Sequence, residues 1–288
     1  MKKLLETGSG RVDLHMHTRF SDGAFTVDQI LDMAEKNGVA TMSITDHDTM
    51  GAYPYAIEEG KKRGIEVIAG TELSCELEGH DIHILGYFLD YTDPALVEAL
   101  EKLRNARYYR AKAMVEKLNE QGVDLRFETV LRYADGGAIG RPHIASALVH
   151  EELVYSFKEA FDTYIGYNSP AYVEKMQLTP KECFQLIYKA GGVPILAHPG
   201  VTAVDHLIPQ LIEDGLAGLE VYHAEHNGAA RRRYANICRT NRLLFTGGSD
   251  FHCFTHKPHQ VEVGGPDLRP SLAEGLKQHY YSFVEKNV

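Results

Sequence analysis

Short apolar or β-branched runs alternate along this chain with longer stretches whose apolar residues recur every three or four positions. The first pattern reads as a strand and the second as an amphipathic helix. Strands are predicted at 12–16, 41–45, 66–69, 81–88, 194–197, 218–222 and 243–246. A helix is predicted at 27–37, with Ile30, Leu31 and Ala34 on one face and Gly38 as its stop. A second covers 52–63 and ends at Gly64. Strands separated by helices imply βα units and a mainly parallel sheet, an α/β fold.

From about 92 to 175 this rhythm changes. Asp93-Pro94 supplies a cap and a first-turn proline. Leu96, Leu100, Leu103, Met114 and Leu118 then form an apolar stripe that ends at Gly122. Further helical runs are predicted at 143–148 and 156–164. The pattern predicts a small helical domain at 92–175, inserted into a domain built from 1–91 and 176–288. The insertion is expected to overhang the functional rim and select the substrate.

The polar residues add the chemistry. Histidines and carboxylates keep appearing where strands should end: Asp13-Leu14-His15-Met16-His17, Asp22, Asp46-His47-Asp48, Thr71-Glu72-Leu73, His83, Ala197-His198-Pro199 and Ser249-Asp250-Phe251-His252. A barrel enzyme gathers a multi-metal site at one rim in this way. His15 and His17, two apart on a strand, point to the same face. Burying two unpaired imidazoles is costly, so a shared cation is the better reading. Glu72 is expected just after a strand, where its two oxygens can bridge two cations. Asp250 and His252 repeat the two-residue spacing. Asp46 or Asp48 either orients the imidazole of His47 or is a turn carboxylate.

Composition narrows the classes. With 288 residues, 44% of them hydrophobic, the chain can bury a large core. Its net charge of −10 argues against a surface for duplex DNA or an anionic membrane. An acidic site would repel phosphate unless divalent cations reverse the local field. There is no apolar run of membrane-spanning length and no signal-peptide stretch at the N-terminus. Cys75, Cys183, Cys238 and Cys253 are scattered, which fits a reduced, cytoplasmic protein. Cys253 follows His252 and reads as a buried, inert thiol.

The motifs resemble those of the PHP (polymerase and histidinol phosphatase) family of metal-dependent phosphoesterases. The matching pieces are Asp13-Leu14-His15-Met16-His17-Thr18 with Ser21-Asp22-Gly23, Ile44-Thr45-Asp46-His47-Asp48 and Gly70-Thr71-Glu72-Leu73-Ser74. They continue with Ile82-His83-Ile84-Leu85-Gly86-Tyr87, Ala197-His198-Pro199-Gly200 and Gly248-Ser249-Asp250-Phe251-His252. Gly140-Arg141-Pro142-His143-Ile144-Ala145 and Pro170-Ala171-Tyr172-Val173-Glu174-Lys175 resemble the branch acting on nucleoside 3′,5′-bisphosphates and short oligonucleotides.

The resemblance implies a distorted (β/α)7 barrel with the inserted helical domain and two to three divalent metal ions. Manganese is the expected metal, with iron or zinc as alternatives. It implies that His15, His17, Glu72 and Asp250 hold a first metal. Glu72 bridges to a second, held also by His83 and His198, and Asp22, His47 and His252 hold a third. Catalysis then falls to Glu72, Asp250, His223 and Arg141, with a metal-activated hydroxide as nucleophile. Arg141, Lys175 and His223 are the expected substrate-binding residues, and His223 could protonate the leaving oxygen. His143 lies close to Arg141 in sequence. Arg104, Arg107 and Arg110, like Arg231-Arg232-Arg233, read first as solvated faces.

The expected reaction is hydrolysis of a phosphate ester on a small nucleotide or sugar phosphate, such as a nucleoside 3′,5′-bisphosphate. Close alternatives are 5′-3′ trimming of very short single-stranded RNA and cleavage of a cyclic phosphodiester. An amidohydrolase is the alternative of another class; it would often use a barrel lysine, or two metals without the Asp22, His47 and His252 group. A non-catalytic metal-binding module is the third reading, and no expected ligand is missing to favour it.

Overall fold

The computed structural model describes residues 10–174, 178–252, 261–265 and 268–287. Strands β1 (Arg11–Asp13), β2 (Val39–Met42) and β3 (Glu66–Val67) form a parallel three-stranded sheet in that order. Strands β4 (Gly70–Leu77), β5 (His80–Tyr87), β6 (Val193–Leu196), β7 (Gly218–His223) and β8 (Leu244–Gly248) form a five-stranded sheet. In it β4–β5 and β5–β6 are antiparallel, while β6–β7 and β7–β8 are parallel. The βα alternation is therefore interrupted at 66–87. A two-residue strand is followed by a separate one, which turns back through Glu78 and Gly79, both at positive φ. That is the geometry of a two-residue hairpin loop, normally announced by Asn-Gly or Asp-Gly. Glu-Gly gives a weaker signal.

The two sheets meet at both edges. Leu14 N donates to Gly247 O, Asp250 N to His15 O and His17 N to Phe251 O, at 3.2, 2.8 and 2.9 Å. At the other edge Glu72 N donates to Asp46 O at 3.3 Å, and Asp48 N to Glu72 O at 3.0 Å. Gly248 permits the first seam, because a Cβ there would lie 2.2 Å from that of His15.

Helices α1 (Val27–Lys36) and α2 (Tyr55–Lys62) cover the first sheet. Thr26 and Gln29 make a capping box on α1, and Gly38 at positive φ follows its C-cap. The next stretch is helical as expected: α3 (Pro94–Glu120), α4 (Phe127–Ala134), α5 (Arg141–His150) and α6 (Phe157–Glu159), which runs into a π-helical turn at Ala160–Ile165. Asp93 caps α3 through Leu96 N, and Pro94 opens it. After α7 (Pro180–Lys189) come α8 (Pro199–Thr202), α9 (Ile208–Asp214), α10 (Gly228–Asn241) and α11 (Pro270–Asn287).

The stripe on α3 divides between two cores. Leu96, Leu100 and Leu103 pack with Leu31, Met42, Leu73 and Phe184 in the main core. Met114 and Leu118 pack with Val130, Ile144, Leu148 and Ile165 in a second, helical core. Each fully buried leucine contributes roughly 2 kcal/mol of apolar burial, so this one helix ties the second core to the sheets. A third cluster sets Val12, Leu85 and Tyr87 against Leu272 and Leu276 of α11. Among the described residues no helix is long and apolar enough to cross a membrane. Cys75, Cys183 and Cys238 are buried and form no disulfide among the described residues. Cys253 lies outside the described residues, so its expected burial has no counterpart here.

Candidate metal centre

The nine expected ligands converge. His15 and His17 follow β1, Asp22 lies in the next loop, and His47 follows β2. His198 follows β6, and Asp250 and His252 follow β8. Glu72 and His83 break the strand-end pattern. Glu72 lies inside β4 rather than after a strand, and His83 in the middle of antiparallel β5. Their strands are long and cross the rim, so interior positions reach it.

Glu72 is the hub. Its Oε2 lies 3.2 Å from His15 Nε2, 3.1 Å from His17 Nε2 and 3.2 Å from His47 Nδ1. Its Oε1 lies 2.9 Å from His83 Nδ1 and 3.0 Å from His198 Nε2. Asp250 Oδ1 is 3.3 Å from His15 Nε2 and 3.4 Å from His17 Nε2, and those two nitrogens are 3.2 Å apart. Beside this group Asp22 Oδ1 faces His252 Nε2 at 3.3 Å, His17 Nδ1 at 3.8 Å and His47 Nε2 at 3.9 Å.

Hydrogen bonding does not account for this packing. Asp22 Oδ1, His47 Nδ1, His83 Nδ1 and His198 Nδ1 are buried without a hydrogen-bond partner. His83 Nδ1 is misaligned for a bond although it lies 2.9 Å from Glu72. Ligand atoms about 2.1 Å from one cation lie roughly 3.0–3.4 Å from each other, which is the spacing found here. The residues fit divalent cations, and the close donors fall into overlapping groups: His15, His17 and Glu72; His15, His198 and Asp250; His47, Glu72 and His83; and His17, Asp22, His47 and His252.

The PHP domain family matches residues 13–207. The chain belongs to the PHP domain family. It is 32% identical over 273 residues, 92% of each chain, to the 5′-3′ exoribonuclease Rnm of Salmonella typhimurium (strain LT2). It is 32% identical over 247 residues to the 3′,5′-nucleoside bisphosphate phosphatase of Chromobacterium violaceum, covering 84% of this chain and 87% of that one. A crystal structure from Bifidobacterium adolescentis, assigned as a metal-dependent phosphoesterase, superposes with a TM-score of 0.83 at 32% identity, over 93% of this chain and 96% of that one. This PHP protein is accordingly a metal-dependent phosphoric ester hydrolase.

Charge in the PHP site balances locally. Burial opposes the charged forms of Asp22, Glu72 and Asp250, yet the surrounding imidazoles hold all three carboxyls well below their usual range. Burial likewise opposes charge on His15 and His17. Glu220, Glu72 and Asp250 outweigh it at His15, and Asp250 and Glu72 lift His17 to about 10. Without cations, protons occupy the positive role that a metal takes over.

Several residues outside the nine support them. Glu220, fully buried in β7, accepts from His15 Nδ1 at 3.1 Å and from His198 N at 2.9 Å. It sets the tautomer of His15 that leaves Nε2 free as a ligand. The signal for it was a lone carboxylate in the apolar run Leu219-Glu220-Val221, which demands a buried partner. Asp46 does not touch the His47 ring. It accepts from Thr18 N, Thr18 Oγ1 and Ser21 Oγ at 2.7, 2.6 and 2.6 Å, fixing the loop that holds Asp22. Asp48 accepts from Ser74 N and from Arg107 Nε at 2.9 and 2.6 Å. His198 and Asp250 hold φ values of 28° and 53°. Such conformations cost on the order of 1 kcal/mol and persist where surrounding bonds fix them. Here those bonds are His198 N to Glu220 and Asp250 N to His15 O.

The expected substrate residues divide. Arg141 opens α5 beside Gly140, whose Cα-side cradle faces Asp22 Oδ2. Its guanidinium lies over the rings of Phe161, Tyr167 and Tyr172 at 5.7–5.9 Å. His223 lies in the site, with Nε2 3.3 Å from Asp250 Oδ2 and Nδ1 accepting from Glu225 N at 3.1 Å. Lys175 lies outside the described residues. His143 is buried, and its Nδ1 accepts from Gly140 N at 2.9 Å. Burial lowers its pKa, so it acts as a neutral clamp on that turn. The reading of three solvated arginines on α3 needs correction. Arg104 is exposed, but Arg107 is buried against Asp48 and Ser74, and Arg110 is half-buried with Nε donating to Val173 O at 2.8 Å. Their i, i+3 spacing turns one side of the helix toward the rim. Arg231 also departs from a solvated face, since its Nη2 donates to His223 O at 3.1 Å.

Proposed function

We propose that this PHP phosphoesterase hydrolyses a phosphate ester of a small nucleotide, with nucleoside 3′,5′-bisphosphates as the preferred class. Trimming of very short 5′-phosphorylated RNA is the close second reading, supported by the relative with exoribonuclease activity. The carrying observation is Glu72, one buried carboxylate within 3.2 Å of five imidazole nitrogens and flanked by two further carboxylates. We assign the nine residues to three sets, His15, His17, Glu72 and Asp250; Glu72, His83 and His198; and Asp22, His47 and His252, with His47 Nδ1 also 3.2 Å from Glu72. Three cations, manganese first among the candidates, suit this mixture of imidazole and carboxylate. The architecture that fits the two edge seams is a distorted (β/α)7 barrel, with 92–175 as an inserted helical domain that overhangs the rim. The scattered cysteines suit a reduced, cytoplasmic setting.

Bound divalent cations would supply Lewis acidity, drawing charge from phosphate oxygens and lowering the pKa of water. The chain's own groups do the rest. Glu72 and Asp250 would hold the cations by their negative charge. Arg141 brings a planar guanidinium to a substrate phosphate. His223 keeps a proton on Nε2, the atom facing Asp250, from which a leaving oxygen can be protonated. Amide chemistry is less suited, because Asp22, His47 and His252 gather as a further donor group beside Glu72.

The test is phosphate release by the manganese-reconstituted protein. The panel holds adenosine 3′,5′-bisphosphate, adenosine 5′-monophosphate, histidinol phosphate, a cyclic phosphate and a 5′-phosphorylated RNA trimer. Turnover of the bisphosphate or trimer that a chelator abolishes is expected. No release from any of them at full metal occupancy would overturn the reading.

A further inference from the structure

His226 is a buried imidazole outside the nine expected ligands and the substrate residues. The partners of its two nitrogens fix its tautomer. Nδ1 lies 3.0 Å from Val221 O, a carbonyl, so Nδ1 carries the proton and donates. Nε2 lies 3.1 Å from Gly200 N, a backbone donor, so Nε2 is bare and accepts. Burial lowers the pKa of the ring and favours this neutral form.

Both partners are backbone groups that regular structure leaves over. The register of β7 against β8 shifts between Glu220 and Tyr222, so Val221 has no counterpart opposite it. A bulge of this kind re-aims the strand that continues from it, and His223 follows two residues on. Gly200 N belongs to the first turn of α8, whose amides have no carbonyl within the helix to bond. That turn starts directly after His198, the residue held at a φ of 28°. Glu220 grips His198 N at 2.9 Å, and His226 grips the same turn two residues later. Gly200 permits the second grip, because a Cβ there would lie 2.8 Å from Nε2 and Cδ2 of His226. The His226 ring is also packed, with its centre 5.2 Å from that of His223 and 5.1 Å from that of Tyr234.

We propose that His226 is a positioning residue that pins the bulge before His223 to the turn after His198, and so holds the two side chains in register across the site. The proposal rests on the readings of His198 as a ligand and His223 as a proton donor, and adds what sets one against the other. A single neutral ring serves both segments because it donates at one edge and accepts at the other.

The experiment splits the two bonds. Glutamine at this position sets an amide oxygen near the place of Nε2 and keeps the grip on Gly200. Asparagine sets its amide nitrogen near the place of Nδ1, keeps Val221 and loses Gly200. In the metal-free protein, hydrogen exchange at the Gly200 amide should stay slow in wild type and His226→Gln. It should quicken by on the order of 10-fold or more in His226→Asn. With manganese, His226→Asn should weaken metal affinity about 10-fold in chelator competition. At saturating manganese it should lower kcat rather than raise KM, and more on phenyl phosphate than on p-nitrophenyl phosphate, whose leaving group needs no proton. His226→Gln should recover most of each loss. Gly200→Ala keeps His226 and pushes its ring away, so it should repeat the asparagine pattern and decides the matter if His226→Asn does not fold. Glutamine and asparagine variants alike in Gly200 exchange and in metal affinity would make His226 a filler of the core and overturn the proposal, as would a Gly200→Ala variant that behaves as wild type. Reference variants separate the readings beneath it. Equal losses on the two esters in His223→Asn would remove the proton donor, and full manganese affinity in His198→Asn would remove the ligand. In either case exchange at Gly200 still decides whether His226 holds the turn.

Discussion

Replacing Glu220 by glutamine keeps the shape of the side chain and removes its charge. In the wild type both oxygens of this buried carboxylate face donors: His15 Nδ1 at 3.1 and 3.2 Å, and His198 N at 2.9 Å. A glutamine offers one oxygen and one amide, so one donor must meet an N–H. If the oxygen turns to His198 N, His15 loses its acceptor. It can then carry its proton on Nε2, the atom 3.2 Å from Glu72 and 3.3 Å from Asp250. That tautomer cannot ligate. If the oxygen turns to His15 instead, the His198 backbone N–H is left buried and unmatched at a residue already held at positive φ. One unmatched buried donor costs about 1–3 kcal/mol. Loss of such a supporting group typically weakens a metal site 10- to 100-fold, about 1.4–2.7 kcal/mol. The expected outcome is manganese affinity reduced by that factor in chelator competition, with kcat/KM partly recovered at high manganese. Unchanged affinity and unchanged turnover at limiting metal would refute the argument that Glu220 positions His15 and His198.

Three further outcomes follow from the geometry. Arg107→Met leaves Asp48 buried without its partner and should destabilise the fold by about 3–5 kcal/mol, and adding Asp48→Asn should recover part of this; chemical denaturation reads both, and an additive double variant would remove the strut. Gly248→Ala forces a Cβ into the His15 side chain and should cost about 1–3 kcal/mol while lowering metal content; a variant of wild-type Tm and metal load would show that the seam yields. For pH, the raised pKa values of His15, His17 and His198 give stability that is full below about pH 6.5 and lost as pH rises through the folded values, while the depressed carboxyls of Asp22, Glu72 and Asp250 give stability present above about pH 4 and lost on acidification. The metal-free protein should therefore lose Tm from pH 6 to 9, whereas manganese should raise Tm more at pH 9 than at pH 6; a metal-free Tm that rises over this range would contradict the charge pattern.

How much of this was legible in the sequence depended on whether a residue's role is periodic, chemical or relational. Periodicity located α1 and the later strands to within a few residues, because an apolar face leaves a repeat that a single chain displays. The nine histidines and carboxylates stood out because ligand chemistry restricts them to few residue types. The hairpin of β4 and β5 did not stand out, since Glu78-Gly79 carries little of the usual turn signature and the run through Glu72 mixes apolar and polar positions. Placing Glu72 after a strand was a consequence of that miss. The division of the α3 stripe was invisible too, because Leu103 and Met114 look alike until their partners are known.

The relational residues explain why so charged an interior can fold. Glu220, Asp13, Asp46, Asp48 and Arg107 are all buried, and each is bonded to other groups of the protein. Asp13 accepts from Ser249 N and Gly264 N at 2.9 and 2.8 Å, with burial pushing its carboxyl up to about 6. It thus ties the strand bearing His15 to the segment bearing Asp250. Asp46 fixes the Asp22 loop, and Asp48 with Arg107 fixes the turn after His47 to α3. The segments bearing His15, Asp22, His47, His198 and Asp250 are therefore each secured by a carboxylate outside the nine expected ligands. A cluster of donors held only by its metals would spread through mutual repulsion when the metals leave. Here, backbone positions are set by bonds that need no metal, so metal loss should cost affinity and turnover before it costs the fold. In practice, chelation should abolish phosphate release while far-ultraviolet circular dichroism at pH 6 keeps its folded form. Simultaneous loss of both would mean that the metals, rather than this outer set of carboxylates, organise the rim.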